Sequence, residues 1–224
     1  MRPPDHLTPR LILITGLPCT GKTTIGKQIA ERLSLPYLYK DGIKERLFEA
    51  LGWSDRAWSK KLSLAAYSLL FYFAEELIKA GQSFVLEGNF SAERDAPKLK
   101  VLQKKYGFQA VEIQCVADGE ELDFRFQKRW ESGIRHPGHV DGETYEELRL
   151  SLLAGRLPPL GLEGEYFELD TTEFEKVDVE EVLKRLALKS LTQRGGVNRE
   201  RGEKTNRERK PPGKEKKKGG LKKD

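Results

Sequence analysis

Cysteine is scarce in this chain, and no export signal is visible. Only two cysteines occur among 224 residues, which excludes a disulfide scaffold and favours a reducing compartment. The N-terminal residues are polar and rich in proline, and the apolar run that follows, Leu11 to Ile14, is far shorter than the core of a signal peptide. We therefore expect a cytoplasmic protein.

Long hydrophobic runs are also lacking. The longest apolar segment, Leu62 to Ala74, would be about 20 Å long as a helix, whereas the hydrocarbon core of a bilayer is about 30 Å thick. This segment is predicted to be a buried helix, and no membrane partner is expected.

Aromatic residues are missing from the end of the chain. Residues 189–224 contain no Phe, Tyr or Trp and hold 14 Lys and Arg against 5 Asp and Glu, a net charge of +9. The preceding 188 residues carry −4, so the basic pI near 9.0 comes from this tail. Such a composition buries too little apolar area to offset the conformational entropy lost on folding. We predict a folded domain over 1–188 and a disordered basic tail over 189–224.

Within residues 1–188, short β-branched or aromatic runs alternate with longer helical patterns, as in βαβ units around a parallel sheet. The predicted fold class is α/β, with short apolar strands covered by helices on both faces. The five predicted strands are Arg10 to Thr15, Tyr37 to Lys40, Phe84 to Glu87, Val111 to Val116 and Tyr166 to Leu169. Helices are predicted near 21–33, 42–50, 56–80, 92–105, 118–132, 143–153 and 175–188, with a loop over Gly133 to Val140.

A glycine-rich motif directly follows the first predicted strand. The sequence GLPCTGKT fits G-x-x-x-x-G-K-[ST] and precedes a helical run. In such a loop, backbone N–H groups point at phosphate oxygens and the helix N-terminus adds a favourable dipole. Lys22 would reach the β- and γ-phosphates, and the Thr23 hydroxyl would ligate Mg²⁺. The motif predicts nucleoside triphosphate binding by Gly16, Leu17, Pro18, Cys19, Thr20, Gly21, Lys22 and Thr23.

A carboxylate, Asp41, follows the second predicted strand. It stands at the carboxyl edge of the sheet, where α/β proteins place their ligands. A carboxylate there can orient an acceptor hydroxyl and take its proton during phosphoryl transfer. Asp is also a preferred N-cap, and a helix that begins at Gly42 or Ile43 would use one at this position. Both roles remain open from the sequence.

The third predicted strand brings Glu87 and Asn89 to the same edge, beside the glycine-rich loop if that strand pairs with the first. Glu87 is expected to hold Mg²⁺ through water or to align the nucleophile, with a helix cap or a salt bridge as the alternative. Asn89 is a lesser candidate, because Gly-Asn after a strand is ordinary turn chemistry.

Three arginines mark a predicted lid over about 124–142. Arg125 and Arg129 lie four residues apart on one helix face, and Arg135 stands in the loop beyond. Guanidinium groups match phosphate oxygens, and a closing loop excludes water and suppresses ATP hydrolysis. A solvated helix face is the alternative. His136 and His139 make a poor metal site, because no cysteine or clear carboxylate partner accompanies them.

In their order along the chain, these residues resemble the small P-loop kinases, AAA-type ATP-binding kinases related to polynucleotide 5′-hydroxyl kinases, zeta toxins, chloramphenicol phosphotransferase and gluconate kinases. The similarity covers roughly Leu11 to Val182 and rests on Gly16 to Thr24, on Asp41 and on Arg125 to Arg135. It implies a three-layer P-loop NTPase fold with a five-stranded parallel sheet of order 2-3-1-4-5.

The resemblance also implies roles for individual residues. Asp41 would be the general base, and Arg129 or a neighbour the lid arginine. Thr24 would belong to the nucleotide site, and Asp170-Thr171-Thr172 looks like the loop that lies near adenine in these kinases. A helix N-cap is the alternative for that last segment.

The expected activity is transfer of the γ-phosphoryl group of ATP, with Mg²⁺, to a hydroxyl of a small-molecule or nucleoside-like acceptor. Trp53 and Trp58 would stack on an acceptor ring or simply pack against a helix. The basic tail keeps a polynucleotide 5′-hydroxyl kinase as an alternative, with weak non-specific nucleic-acid contact, although the tail can equally be an inert extension. An ATP-binding regulatory protein without an acceptor is the other alternative.

Overall fold

The computed structural model describes residues 8–187. Residues 8–179 form one compact unit, and residues 180–187, which are helical, belong to a second. The predicted basic tail, 189–224, lies outside the described residues. Among residues 8–187, no helix combines the length and the apolar composition of a bilayer-spanning segment.

The centre of the fold is a five-stranded parallel sheet with the order β2-β3-β1-β4-β5. Its strands are β1 (Arg10–Gly16), β2 (Tyr37–Tyr39), β3 (Phe84–Glu87), β4 (Gln109–Val116) and β5 (Gly164–Asp170). The strand order, the parallel direction and the α/β class are all confirmed. Because every strand runs the same way, all five carboxyl ends meet at one edge of the sheet.

Helices connect these strands. They are α1 (Lys22–Leu33), α2 (Lys40–Leu51), α3 (Arg56–Lys79), α4 (Ala96–Tyr106), α5 (Gly119–Ser132) and α6 (Asp141–Leu153). A further helical segment, α7 (179–187), follows β5. Short 3-10 helices occupy Pro137–His139 and Phe174–Lys176.

The sheet is buried on two faces. Leu11 and Leu13 of β1 pack with buried residues of α3 and α4 in one cluster. Ile12 and Ile14 point to the opposite face, because successive side chains of a strand alternate. Helix α1, with its buried Ile25, contacts β1, β2 and β3 and covers this second face. A smaller apolar cluster joins α5 and α6 to the start of the glycine-rich loop.

Helix α2 begins earlier than predicted. Lys40, predicted as the end of a strand, is the first residue of α2, and the residue before it, Tyr39, is the extended N-cap. Asp41 therefore lies inside the first turn and makes no capping hydrogen bond. This placement removes the N-cap alternative and leaves the Asp41 carboxylate available to the cleft.

Two other predicted helices differ from the structure in that each begins later than predicted. Helix α4 starts at Ala96 rather than near residue 92, because Asp95 accepts a hydrogen bond from the Ser91 N–H at 2.8 Å and holds a turn there. Pro97, which has no N–H to donate, then fits in the first helical turn. The helix predicted over 175–188 is split into the 3-10 helix Phe174–Lys176 and α7.

Candidate active site

The glycine-rich loop connects β1 to α1. Gly16 and Gly21 have φ of 145° and 76°, in the region that favours glycine. A Cβ at Gly16 would lie 2.4 Å from the Cys115 carbonyl oxygen of β4, so no larger residue fits there. Cys19 also has a positive φ, 67°, and burial raises the pKa of its thiol. A thiol that stays protonated is a poor nucleophile.

The N-terminus of α1 carries no neutralising side chain. Its N-cap is Gly21, and its first turn contains no Asp or Glu. The N–H groups of this turn are therefore available to phosphate oxygens. Lys22 is buried, and its ammonium donates to the Leu17 carbonyl at 3.1 Å, a neutral partner that a phosphate would replace. The loop thus fits the polyphosphate of a nucleotide.

Glu87, at the end of β3, lies next to the threonine of the loop. The Thr23 hydroxyl donates to Glu87 Oε2 at 3.1 Å, and the Tyr37 hydroxyl donates to the same oxygen at 3.2 Å. Burial raises the pKa of the Glu87 carboxyl. A hydroxyl and a carboxylate side by side are oxygen ligands of the kind that Mg²⁺ takes directly or through water. In the described residues, Glu87 hydrogen-bonds to hydroxyls and does not cap a helix.

Asp41 lies on the opposite side of the cleft, in the first turn of α2. Its carboxylate accepts from the Lys40 ammonium at 2.9 Å and from the Arg135 guanidinium. Burial by itself would raise the pKa of Asp41, but the charges of Lys40 and Arg135 outweigh it and hold that pKa well below its usual range. Asp41 is therefore ionised and already tied to the predicted lid.

Two lid arginines meet at one acidic residue, Asp141, the first residue of α6. Arg135 donates to Asp141 Oδ1 at 2.6 Å, so it bridges Asp141 and Asp41. Arg129 Nη2 lies 3.1 Å from Asp141 Oδ2, an ion pair without hydrogen-bond geometry. The buried Nε of Arg129 has no hydrogen-bond partner among the described residues. Arg129 thus retains donors for an incoming oxygen.

Arg125 has a different position from the other two arginines. It donates to Glu121 and to the Thr172 carbonyl, both at 2.7 Å. Thr172 also receives the Asp118 N–H on its hydroxyl and donates its own N–H to Asp170. The predicted adenine loop is therefore attached to the N-terminal half of α5, and Asp170 stabilises its own loop rather than capping α7.

The loop after β5 also reaches the glycine-rich loop. A Cβ added at Gly21 would lie 2.2 Å from the ring of Phe174, so this ring covers Gly21 closely. Phe174 and Arg125 place a flat apolar ring and a flat cation on one side of the phosphate loop, which suits a nucleotide base.

Many of these groups line one cavity of about 760 Å³. It is bounded by the glycine-rich loop, α2, α3, the segment after β3, α5 and α6. The cationic side chains that line it are Lys22, Lys40, Lys44, Arg56, Lys60, Arg94, Arg125, Arg129 and Arg135, and the carboxylates are Asp41 and Asp141. Asn89 lines it as well. The excess of positive charge is the pattern expected for anionic ligands.

The two histidines of the predicted lid contact side chains of α2 and Trp53. His139 is buried against Glu45 at 2.9 Å, and burial with the nearby Arg135 lowers its pKa to about 2. The His136 ring stacks on Phe48 and meets the edge of Trp53. No group of three or more His, Cys, Asp or Glu suited to a metal occurs within residues 8–187.

Sequence reasoning missed four residues of the site: Tyr37, Lys44, Asp141 and Phe174. Lys44 stands three residues after Asp41 in α2, a spacing that places both on one helix face and was a usable signal. Asp141 and Phe174 carry no such local signal, because their partners are distant in sequence.

Comparison with known proteins identifies the family. The chain matches the family model described as AAA domain over residues 11–152. No curated protein matches it. Among solved structures, it is similar to a presumed kinase from Chloroflexus aurantiacus, with 38% identity over 80% of this chain and 97% of the other, and a TM-score of 0.74.

Two more distant structures are a sugar kinase from a Janibacter species and a gluconokinase from Sinorhizobium meliloti. The first is 17% identical over 80% of this chain and 92% of the other, with a TM-score of 0.49. The second is 16% identical over 83% of this chain and 98% of the other, with a TM-score of 0.47. With TM-scores below 0.5, neither of these two structures indicates which acceptor this chain would use. With its phosphate loop, its 2-3-1-4-5 sheet and the family match over most of the described residues, this chain belongs to the AAA domain family of small P-loop kinases.

Proposed function

We propose that the protein is an ATP-dependent phosphotransferase that moves the γ-phosphoryl group to a hydroxyl of a small-molecule or nucleoside-like acceptor. The observation that carries this proposal is the position of Asp41, which lines the same cavity as Lys22 and Thr23 but faces them from α2. A site that only bound nucleotide would need no carboxylate at the place where an acceptor enters.

Each group has a chemical role in this proposal. Backbone N–H groups from Gly16 to Thr23 and the Lys22 ammonium bind the phosphates, and Thr23 with Glu87 holds Mg²⁺. Mg²⁺, when bound, neutralises charge on the transferring phosphate. Asp41 orients the acceptor hydroxyl and accepts its proton.

The lid arginines complete the site. We infer that Arg135 moves from Asp41 to a phosphate oxygen when ATP binds, while Arg129, with its unpartnered donors, contacts the same phosphates. Loss of the Arg135 contact raises the pKa of Asp41 from its depressed value and makes it a better base. The lid over about 124–142 would then also exclude water from the transfer.

The test is the release of ADP from Mg²⁺-ATP with pooled hydroxyl acceptors, including nucleosides, 5′-hydroxyl oligonucleotides, sugars and phenicol and aminoglycoside drugs. We expect one pool to raise turnover well above the acceptor-free background. In Asp41→Asn, that stimulated turnover should fall about 10²- to 10⁴-fold, because the base is lost while the phosphate loop is intact. ATP affinity should stay within a few-fold of the wild type.

A matched control is Asp55→Asn. Asp55 caps α3 by accepting the Trp58 N–H at 2.8 Å, and asparagine caps equally well, so activity and stability should both be retained. Tight ATP binding with no stimulated turnover in any pool, and no effect of Asp41→Asn, would instead support the regulatory alternative. Stimulation by the oligonucleotide pool alone would favour a polynucleotide 5′-hydroxyl kinase.

A further inference from the structure

The acceptor side of the cavity is basic. We call the cavity surface formed by Lys40, Lys44, Arg56, Lys60 and Arg94 the basic wall. These side chains come from α2, from α3 and from the segment after β3, and they face the glycine-rich loop across the cavity.

Four of the five cations of the basic wall form ion pairs within the protein. Lys40 pairs with Asp41 at 2.9 Å. Arg56 and Lys60 share one acidic partner, Glu147, at 2.9 and 3.0 Å. Arg94 is bound by the buried Asp95 at 2.7 Å. Each of these four side chains therefore has a carboxylate partner within 4 Å, whereas Lys44 has none among the described residues.

Lys44 is buried, and no carboxylate lies within ion-pair distance of its ammonium among the described residues. Its side chain lines the cavity, the residue is only 3% exposed, and its ammonium donates to the Ser59 hydroxyl at 2.8 Å. The ring of Phe48 lies 5.1 Å from the ammonium. Within residues 8–187, Lys44 forms no ion pair. A buried ammonium with neutral partners is unfavourable unless an anion joins it.

In the proposed function, the phosphates of ATP bind to groups other than Lys44. The N-terminus of α1 and Lys22 belong to the glycine-rich loop, and Arg129 and Arg135 are the lid arginines proposed above to contact the phosphates, whereas Lys44 is one helical turn from Asp41 on α2. Residues three apart on a helix are neighbours, with about 5–6 Å between their Cβ atoms. An anion at Lys44 would therefore be attached a few bonds from a hydroxyl held by Asp41.

We propose that the acceptor is a small anion, a hydroxyl compound with a phosphate or carboxylate group that binds to Lys44. The inference rests on the proposed function, because it assigns the acceptor class of the same site. Burial and the neighbouring Lys40 lower the pKa of Lys44 to about 7, so the bound anion would also draw a proton onto this amine.

A binding experiment tests the inference without requiring turnover. The full chain, saturated with Mg²⁺ and the β,γ-imido analogue of ATP, is titrated calorimetrically with inorganic phosphate and separately with acetate. We expect at least one of the two anions to bind, with affinity reduced at least 10-fold in Lys44→Met. The matched control is Lys61→Met, an exposed lysine of α3 outside the cavity lining, which should bind like the wild type.

Equal anion affinity in the wild type and in Lys44→Met, or no binding of either anion, would overturn the inference. If the nucleotide analogue does not bind, the proposed function fails at that step. The same titration is then made on Lys22→Met, in which the phosphate-loop lysine is absent and anion binding reports on the basic wall.

Acceptor kinetics give the second arm and separate phosphate from carboxylate. Matched sets share one alcohol: glycerol, glycerate and glycerol 3-phosphate; glucose, gluconate and glucose 6-phosphate; a nucleoside and its 3′-monophosphate. A charged member should be preferred in at least one set, and Lys44→Met should raise its KM about 10- to 100-fold with little change in kcat. Lys44→Arg should recover part of the affinity. Preference for the neutral members, with an unchanged KM in Lys44→Met, would contradict the inference.

Discussion

At the residue scale, the site is a set of charges held in mutual contact. Asp41, Arg135, Asp141 and Arg129 form a chain of ion pairs that runs from α2 across the lid to α6. The proposed base and the proposed phosphate ligands therefore neutralise one another before substrates arrive. When ATP binds, the lid arginines would exchange these carboxylate partners for phosphate oxygens. In the proposed mechanism, ATP binding therefore releases Asp41 from its ion pair with Arg135.

Lys44 should make stability depend on pH. Its pKa is 10.5 in the unfolded chain and about 7 when folded, so between these values the unfolded state binds more protons and stability rises with pH. The penalty is at most about 5 kcal/mol near pH 7. Lys44→Met should unfold at higher urea concentration than the wild type at pH 7, and this difference should shrink towards pH 10.

The control for that measurement is Lys61→Met, whose difference from the wild type should not change with pH, because Lys61 is exposed. A difference between wild type and Lys44→Met that stayed constant from pH 7 to pH 10 would show that the Lys44 ammonium is not desolvated in the folded state.

At the element scale, α2 contacts both the proposed acceptor side and the predicted lid. Its Asp41 and Lys44 line the cavity, and its Phe48 and Glu45 contact the two histidines at the two ends of the 3-10 helix Pro137–His139. The predicted lid is therefore attached to the helix that carries the proposed base. A change in the lid position would be transmitted to the proposed acceptor side through these contacts.

The junction between that 3-10 helix and α6 is strained at Val140, which has φ of 48°. A β-branched residue in the left-handed region costs the folded state about 1–2 kcal/mol. Glycine would remove this cost, but it also increases the entropy of the unfolded chain, which offsets part of the gain in stability. Val140→Gly should therefore raise the free energy of unfolding by about 1 kcal/mol. Urea denaturation followed by circular dichroism would measure it.

The same substitution at a relaxed position provides the comparison. Val177 has φ of −69°, so Val177→Gly should lower the free energy of unfolding by about 0.5–1 kcal/mol. A loss of stability in Val140→Gly as large as that in Val177→Gly would mean that the left-handed backbone at Val140 stores no strain.

At the scale of the whole molecule, nucleotide binding should be visible as a gain in thermal stability. A ligand at about 100 times its Kd adds about 2.7 kcal/mol to the folded state. For a chain of this size, that corresponds to a rise in Tm of about 5–10 °C. We expect this rise with Mg²⁺-ADP in the wild type and its loss in Lys22→Met, measured by differential scanning calorimetry.

Lys27→Met is the matched variant for this prediction, because Lys27 is an exposed lysine of the same helix, α1. It should retain the nucleotide-dependent rise in full. A rise of the same size in Lys22→Met would place the nucleotide elsewhere than at the glycine-rich loop.

Much of this fold was accessible from local patterns. The alternation of apolar strands and amphipathic helices predicted the class, and the resemblance to small P-loop kinases supplied the strand order that the sheet confirms. The ends of the helices and strands were harder to predict from the sequence. The residues beside Lys40 favour a strand, yet Lys40 is the first residue of α2. At such a junction, tertiary packing outweighs a weak local preference.

The phosphate loop was determined by the sequence alone, because its groups are consecutive and the backbone wraps around the ligand by local conformation. The charges around it were decided by tertiary structure. Arg135 and Asp41 lie 94 residues apart, and Tyr37 and Glu87 lie 50 apart. Lys44 is a candidate anion-binding residue because its cationic neighbours are paired and its own partner is the neutral Ser59 hydroxyl, and both facts depend on the tertiary structure. Such partners depend on which strands are adjacent and which helices fold over them, and no short stretch of the chain contains that information.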